Sequence, residues 1–335
     1  MVVLTPRVRL LAGLVAGLYL SGCGSVAPAE TGSFARDRAS THSWWPKAEA
    51  AFISGDPTAL SDLYADSALD VAKGQMQMAV LLGTRPKYPR PFRDSAIFVP
   101  SPGPNTSWFL AIIRYAPVDQ DGRAGPVDVS APGMIFSNIS GTWKVIATNV
   151  QAPITHDLFS SNDSTFSALL NDSRYILPRS TVAPAYAAYL NNLSAGQQAD
   201  VPFPTGLNSF AWQFTRVAWP PGSIATANFS FEVETPELAE YSITSGTPKA
   251  PEVVLFVLRR TVVVKPRQGC LVRRQGDPWS ATVPTGSYSA VTLTSISVVA
   301  ATVPFNNEDT SQGRKIIDIS AGIDDVSAVG ITCGG

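Results

Sequence analysis

Charge is scarce in this chain. Only 15% of its 335 residues are Asp, Glu, Lys or Arg, against roughly 25% in an average soluble protein. The 25 basic and 26 acidic side chains leave a net charge of −1. No global field draws such a chain to nucleic acid or anionic lipid, so binding of either kind needs a local patch. Histidine is nearly missing, with two residues in all. His42 and His156 lie far apart, and neither falls in a metal-ligand spacing such as H-E-x-x-H. G-x-S-x-G, the P-loop and G-x-G-x-x-G are absent, which removes the usual markers of acyl transfer, phosphate cradling and dinucleotide binding. The expectation is a protein that is not an enzyme, with no cofactor, no metal and no nucleic-acid partner. Beyond residue 22, no apolar run reaches the about 20 residues of a membrane span.

The start of the chain is informative. Residues 1–22 carry Arg7 and Arg9, no acid, and an apolar run from Leu10 to Leu20, followed by Leu20-Ser21-Gly22-Cys23. A basic flank before a short apolar run reads as an export signal. Leu-Ser-Gly-Cys looks like the lipobox of bacterial lipoproteins, in which the thiol of Cys23 takes a diacylglyceryl group; the competing reading is an ordinary signal peptide with Cys23 incidental. Two acyl chains meet the two-signal condition for stable anchoring. The partner implied is thus the lipid bilayer, held through diacylglyceryl Cys23 at the extracytoplasmic face of the cell membrane. Residues 23–33 are rich in Gly, Ser, Ala and Pro and read as a flexible tether.

Of the three cysteines, Cys270 and Cys333 remain as a pair in an oxidising compartment, and a disulfide between them is predicted. Two unpaired buried thiols are the alternative, since spacing alone does not show that their Cα atoms come within reach.

The body divides in two. From Phe34 to Leu82 the period is helical, with breaks predicted at Pro46 and at Gly55-Asp56-Pro57. Strand patterns follow at Ser95–Pro100, Ser107–Tyr115, Val127–Phe136 and Thr142–Thr148, and the Asn138-Ile-Ser-Gly141 turn makes them an antiparallel meander. The order then restarts. Thr181–Leu193 has helical spacing, and strands are predicted at Phe210–Phe214, Ala227–Glu234, Val253–Val264, Ser287–Val303 and Lys315–Ile319. In Ser287–Val303 the apolar phase slips by one after Ser295, which predicts a bulge there or a strand buried on both faces. The fold class expected is α+β: two helix-plus-curved-antiparallel-sheet domains, 34–152 and 153–335.

Gly141-Thr-Trp-Lys-Val-Ile-Ala resembles the glycine, tryptophan, basic, apolar strand of the cone-shaped NTF2-like or SnoaL-like fold. Gly55-Asp56-Pro57 with Leu63-Tyr64-Ala65-Asp66 resembles that fold's early helix pair. The whole layout, lipobox included, is similar to actinobacterial secreted lipoproteins of unknown function with two such domains. The resemblance implies tandem cones and carries over no residue except a lipidated Cys23.

Cone folds can run acid/base chemistry with a buried Asp and a Tyr, which singles out Tyr64, Asp66 and Asp70; helix capping and core filling explain the same residues. Arg85-Pro-Lys87-Tyr88-Pro-Arg90-Pro-Phe92-Arg93 interleaves four cations with two aromatics. Arg85, Lys87, Arg90 and Arg93 therefore form a candidate anion-binding loop, a proline-stiffened loop being the structural alternative. Arg259, Arg260, Lys265, Arg267, Arg273 and Arg274 flank a predicted hairpin. Trp108, Phe109, Ile112, Trp143, Trp212 and Phe214 either line a ligand pocket or fill the cones. The functional expectation is an envelope lipoprotein serving as a non-catalytic binding or scaffold module for a protein or envelope polymer. The alternatives are a carrier of an apolar small molecule in a cone pocket and an enzyme of the isomerase or cyclase type.

Overall fold

The computed structural model describes residues 32–100, 107–126, 129–130, 133–150, 164–166, 175–197, 202–204, 225–234, 252–273, 285–304, 317–321 and 324–333, with isolated positions at 209, 211, 214, 215 and 283. Cys23, the export segment, His156 and Trp212 lie outside the described residues.

Three helices lead: α1 (Gly32–Ser54), α2 (Pro57–Leu60) and α3 (Asp66–Leu82). α2 begins as its sequence predicts. Asp56 Oδ1 accepts from the Thr58 backbone N–H at 2.8 Å, and Pro57 takes the first helical position, where no N–H is needed. α1, however, runs through Pro46 instead of breaking there. Proline at 46 deprives the His42 carbonyl of its helical donor, yet the helix continues, held by Trp44, Trp45 and Ala48, which are buried on either side of it.

The first sheet contains β1 (Phe92–Pro100), β2 (Trp108–Tyr115), β3 (Val129–Ser130), β4 (Gly133–Ile139), β5 (Thr142–Val150) and β6 (Ser164–Phe166). Its order is β5-β4-β2-β1-β6, antiparallel throughout the predicted meander, with β6 parallel to β1 and β3 beside β2. The β4–β5 hairpin closes on Ser140 and Gly141, both at positive φ (52° and 85°), and the Gly141 N–H donates to Asn138 Oδ1 at 2.9 Å. Those dihedral signs match the twist of the flanking strands.

The second half has one helix, α4 (Arg179–Ser194), and a sheet of β7 (Ala225–Glu234), β8 (Glu252–Pro266), β9 (Leu271–Arg273), β10 (Gly286–Val303), β11 (Asp318–Ala321) and β12 (Asp324–Thr332). The order is β11-β10-β8-β7, with β12 and β9 also paired to β10. The strand predicted at Phe210–Phe214 is instead helical where it is described: the Thr215 N–H reaches the Ala211 carbonyl at 3.1 Å. Ala211 and Phe214, three residues apart, both enter the α4 core, which a helical turn allows and a strand does not.

Strand alternation explains how the layers stack. In the first sheet, Ile97, Val99, Phe109, Ala111, Ile113, Phe136 and Val145 face α1–α3. Their neighbours Phe98, Leu110, Ile135 and Ile146 face the second sheet, where Val253, Leu255, Val257, Ile296, Val298 and Ala300 meet them. The second sheet turns Val254, Phe256, Leu258, Val299, Ala301 and Val303 toward α4. The order of layers is therefore helices, sheet, sheet, helix, and the α+β class holds. The second sheet is buried on both faces along β8 and much of β10, which is why these strands read as nearly continuous apolar runs.

The irregularity near Ser295 has a specific form. Pairing of β10 with β8 keeps one register from Val291↔Val264 to Val303↔Glu252, whereas pairing with β12 slips between Thr294↔Ser327 and Ser295↔Asp325. The extra residue is Val326, on β12. The apolar slip inside β10 arises because its second face becomes covered from Ile296 onward, where odd and even positions are both buried.

Cys270 and Cys333 form a disulfide with a Cα–Cα distance of 6.3 Å. It fastens the end of β12 to the turn between β8 and β9. No helix among the described residues is long and apolar enough to cross a membrane.

Candidate functional cleft

α1 and α3 leave a cleft of about 1050 Å³ against the first sheet. α1 supplies Trp44, Trp45, Ala48, Glu49 and Phe52 to it; α3 supplies Val71, Ala72, Gln75 and Ala79. Tyr115 and Met134 come from the sheet, the loop after α3 forms a rim, and Asp324 of β12 reaches in from the second half.

Trp44 and Trp45 are fixed by their indole N–H groups. Trp44 Nε1 donates to the Leu63 carbonyl at 3.0 Å and Trp45 Nε1 to the Arg90 carbonyl at 2.7 Å. Trp44 meets Tyr64 edge to face at 5.3 Å, and Trp45 stacks on Tyr115 at 5.2 Å, so the aromatic wall is rigid.

One ion pair is set into this wall. Glu49 Oε1 accepts from Arg90 Nη2 at 2.6 Å, and Oε2 accepts from Arg90 Nε at 3.0 Å and from the Arg90 backbone N–H at 2.8 Å. The guanidinium also lies over the rings of Trp45 (5.2 Å) and Tyr115 (4.6 Å). Glu49 is 3% exposed and Arg90 37%. Burial works against the guanidinium charge, but Glu49 outweighs it and holds the Arg90 pKa above its ordinary value. Burial and then the negative charge of Glu49 raise the Tyr64 phenol, which stays protonated at any physiological pH.

The carboxylates that line the cleft are engaged. Glu49 holds Arg90. Asp119 Oδ1 accepts from the backbone N–H groups of Asp121 and Arg123 at 2.9 and 2.8 Å. Asp324 accepts from Gln75 Nε2 and Asn149 Nδ2, each at 3.3 Å. No cluster of His, Cys, Asp and Glu suited to a metal exists among the described residues.

The candidates drawn from the sequence disperse. Of the acid/base set, Tyr64 lines the cleft, whereas Asp66 is exposed at the start of α3 and Asp70 pairs with Arg259 at 3.1 Å. Arg259 also pairs with Glu234, so it joins β7 and β8 to α3. Arg260 is buried with its guanidinium 5.7 Å from the Phe229 ring. In the basic loop, Arg90 is committed to Glu49, and Arg85 donates to the Ser54 carbonyl at 3.2 Å. Lys87 and Arg93 are exposed, and Lys87 lies on the rim with Arg85.

The apolar candidates lie in the packed interior. Phe109 stacks on Phe136 at 4.8 Å and touches Trp143 at 4.9 Å. Trp108 and Ile112 pack between the sheets, and Phe214 packs under α4. The sequence reading missed Trp44, Trp45, Glu49 and Phe52. Their signal is a helical stripe, Trp44, Trp45, Ala48 and Phe52, with one carboxylate set into it at 49; a charge inside an apolar stripe requires a partner, and Arg90 is that partner. Comparison of the chain with family models, with curated proteins and with solved structures found no match in any of the three.

Proposed function

We propose that this chain is a cell-envelope lipoprotein, anchored through diacylglyceryl Cys23, whose body is a non-catalytic binding module of tandem NTF2-like cones. Its first cone carries an apolar or amphipathic small molecule in the cleft between α1, α3 and the first sheet. The cleft itself carries this reading. About 1050 Å³ accommodates a molecule of ordinary cofactor or lipid-fragment size, and the walls are Trp44, Phe52, Val71, Ala72 and Met134, with the Glu49–Arg90 pair as a fixed polar mark. An open cleft with aromatic and branched walls offers such a molecule apolar contact on several sides.

The isomerase or cyclase reading needs a carboxylate free to take a proton. Glu49 is buried beside Tyr64, but both of its oxygens already accept hydrogen bonds from Arg90, and a base in that state lacks a lone pair aimed at substrate. Carriage is therefore preferred over catalysis.

The test uses the purified full chain and two readouts. Organic extraction followed by mass spectrometry identifies what the native lipoprotein retains. Titration with the probe 8-anilinonaphthalene-1-sulfonate measures occupancy, with Ala79→Trp placed to fill the cleft near its rim. Saturable probe binding that Ala79→Trp abolishes supports carriage. No retained molecule together with no saturable binding overturns it.

A further inference from the structure

We propose that the C-terminal tip of α3 and the loop that follows it form a docking surface for an anionic phospholipid bilayer, placing the rim of the cleft at the lipid headgroups. Val80, Leu81 and Leu82 end α3 with 53%, 66% and 55% of their surface exposed, and Tyr88, six residues beyond Leu82, is 41% exposed. Three consecutive helical residues, each turned about 100° from the last, cover more than half of the helix circumference. A groove on a protein accepts one stripe of a helix about 100° wide, narrower than that spread. Insertion end-on into the acyl boundary instead covers every azimuth of the tip at once.

Charge favours the same occupant. Between Asp70 and Asp94 the chain has no acid, and it has Lys73, Arg85, Lys87, Arg90 and Arg93. Arg90 is neutralised by Glu49, but the Arg85 guanidinium is held at the tip by the Ser54 carbonyl, and Lys87 is exposed beside it. The acids that approach this surface are Asp119 and Asp121, on a loop whose Gly122 lies against the Tyr88 ring; both carry exposed carboxylates and share that loop with Arg123. Asp56, the other acid near Ser54, keeps its charge while accepting from Thr58. The charges that follow Leu82 within five residues, in the acid-free stretch, are the cations Arg85 and Lys87. Apolar side chains beside cations are the chemistry that a bilayer with anionic headgroups takes up, each cation near the surface strengthening docking about fivefold.

Gly83, Thr84, Arg85, Pro86, Lys87 and Tyr88 are also rim residues of the cleft. Docking through them gives an apolar ligand a path between bilayer and cleft that avoids water. An anchor at Cys23 permits this arrangement. The eight residues between Cys23 and Gly32 reach about 30 Å, comparable with the length of α1, roughly 35 Å. That reach lets the start of α1 stand as far as about 30 Å from the bilayer while its Ser54 end meets it at the tip. The docking itself does not depend on what the cleft holds.

The experiment places a nitrobenzoxadiazole label on Leu81→Cys in the full chain, with a second label on Val329→Cys, an exposed β12 position, as the aqueous reference and the parent chain labelled in parallel as background. Emission is read on vesicles of phosphatidylglycerol mixed with phosphatidylcholine and on phosphatidylcholine alone. The label at 81 is expected to shift to the blue on the anionic vesicles only, and Arg85→Ala with Lys87→Ala is expected to weaken that docking roughly 30-fold. The label at 329 stays aqueous. Near-ultraviolet circular dichroism confirms that each variant is folded. A label at 81 that stays aqueous on both vesicles, as a protein-docking tip would leave it, overturns the proposal, and so does a shift that the double substitution leaves unchanged. Probe binding by the same chain in solution reports on the cleft separately, so failure of docking and failure of carriage are distinguishable.

Discussion

Gly74→Ala is expected to destabilise the protein, against the ordinary rule for helices. Alanine in a helix interior is favoured over glycine by about 1 kcal/mol, and Gly74 sits in the middle of α3. A Cβ there would lie 2.6 Å from the Val326 carbonyl oxygen and 2.9 Å from its Cα, both atoms of the β12 backbone. That strand has little room to retreat. It is paired along β10 from Tyr288↔Thr332 to Ile296↔Asp324, and the disulfide fixes the residue after it. Relief requires a shift of several tenths of an ångström between α3 and β12, which costs about 2–3 kcal/mol and lengthens the Gln75–Asp324 hydrogen bond. Set against the helix gain, the net loss is about 1–2 kcal/mol, a fall of roughly 1.5–3 °C in the melting temperature for a chain of this size. Thermal unfolding followed by circular dichroism measures it, with Gln77→Ala, an exposed site on the same helix, as the neutral reference. If Gly74→Ala raises the melting temperature, α3 and β12 are not in close contact and the packing of the two halves described above is wrong.

Glu49→Gln is expected to cost about 2–3 kcal/mol, below the range for a fully buried pair because Arg90 is 37% exposed; a urea-denaturation double-mutant cycle with Arg90→Met should show coupling, and additivity would refute the pairing. Asp37 has its carboxyl pKa raised, by burial first and against the pull of Arg36. The folded state then holds that proton more tightly than the unfolded one, so stability falls as pH rises from the usual carboxylate pKa through the raised one. Asp37→Asn should remove that fall, and matching stability–pH curves for the two proteins would contradict it. Cys270→Ser with Cys333→Ser is expected to lower stability by about 2–4 kcal/mol, for a bridge closing a separation of 63 residues. Alkylation followed by intact mass of the non-reduced parent should find neither thiol free.

What the sequence disclosed and what it hid follow physical lines. The meander β1, β2, β4 and β5 was legible because its strands alternate and one of its turns is local: Asn138-Ile-Ser-Gly141 sets the β4–β5 hairpin through dihedral preferences that no distant contact needs to supply. α4 was legible for the same reason, through spacing. β12 was not, since Asp324–Thr332 holds a glycine, two acids and exposed Val329 and Ile331, and only its pairing to β10 makes it a strand. Pro46 misled because the lost bond and the ring clash cost the helix about 3 kcal/mol, which burial of Trp44, Trp45 and Ala48 on either side of it outweighs. The phase slip after Ser295 is a record of coverage, a second face closing, which one strand's pattern cannot distinguish from a bulge. The cleft was hidden because a void is a property of what fails to meet. Trp44, Phe52 and Val71 have the same composition signature as Phe109, Phe136 and Trp143, which pack solid.

The two halves differ in how rings fill the space beneath their helices. Both halves set helices on the outer face of a sheet, and both sheets present branched and aromatic side chains to them. Under α4, the space is taken by rings. Tyr186 is fully buried, 5.0 Å from Phe203 and 6.1 Å from Phe256, and Tyr189 lies 5.5 Å from Phe203. Tyr189 OH donates to the Pro204 carbonyl at 3.1 Å, which draws the segment after α4 in as a further wall. Burial holds the Tyr186 phenol neutral, so it behaves there as one more large apolar group. Under α1 and α3, the rings go to the side of the space instead of its centre, because Trp44 and Trp45 are tied by their N–H groups to the Leu63 and Arg90 carbonyls and Tyr115 is stacked beneath Arg90. Side chains so fixed cannot collapse inward to fill the void. The Glu49–Arg90 pair strengthens that restraint, since moving either partner breaks several charge-assisted hydrogen bonds at once. The first half is therefore built to keep its cleft open, and the second supplies the solid face, with Asp324 at its edge, against which that cleft is framed.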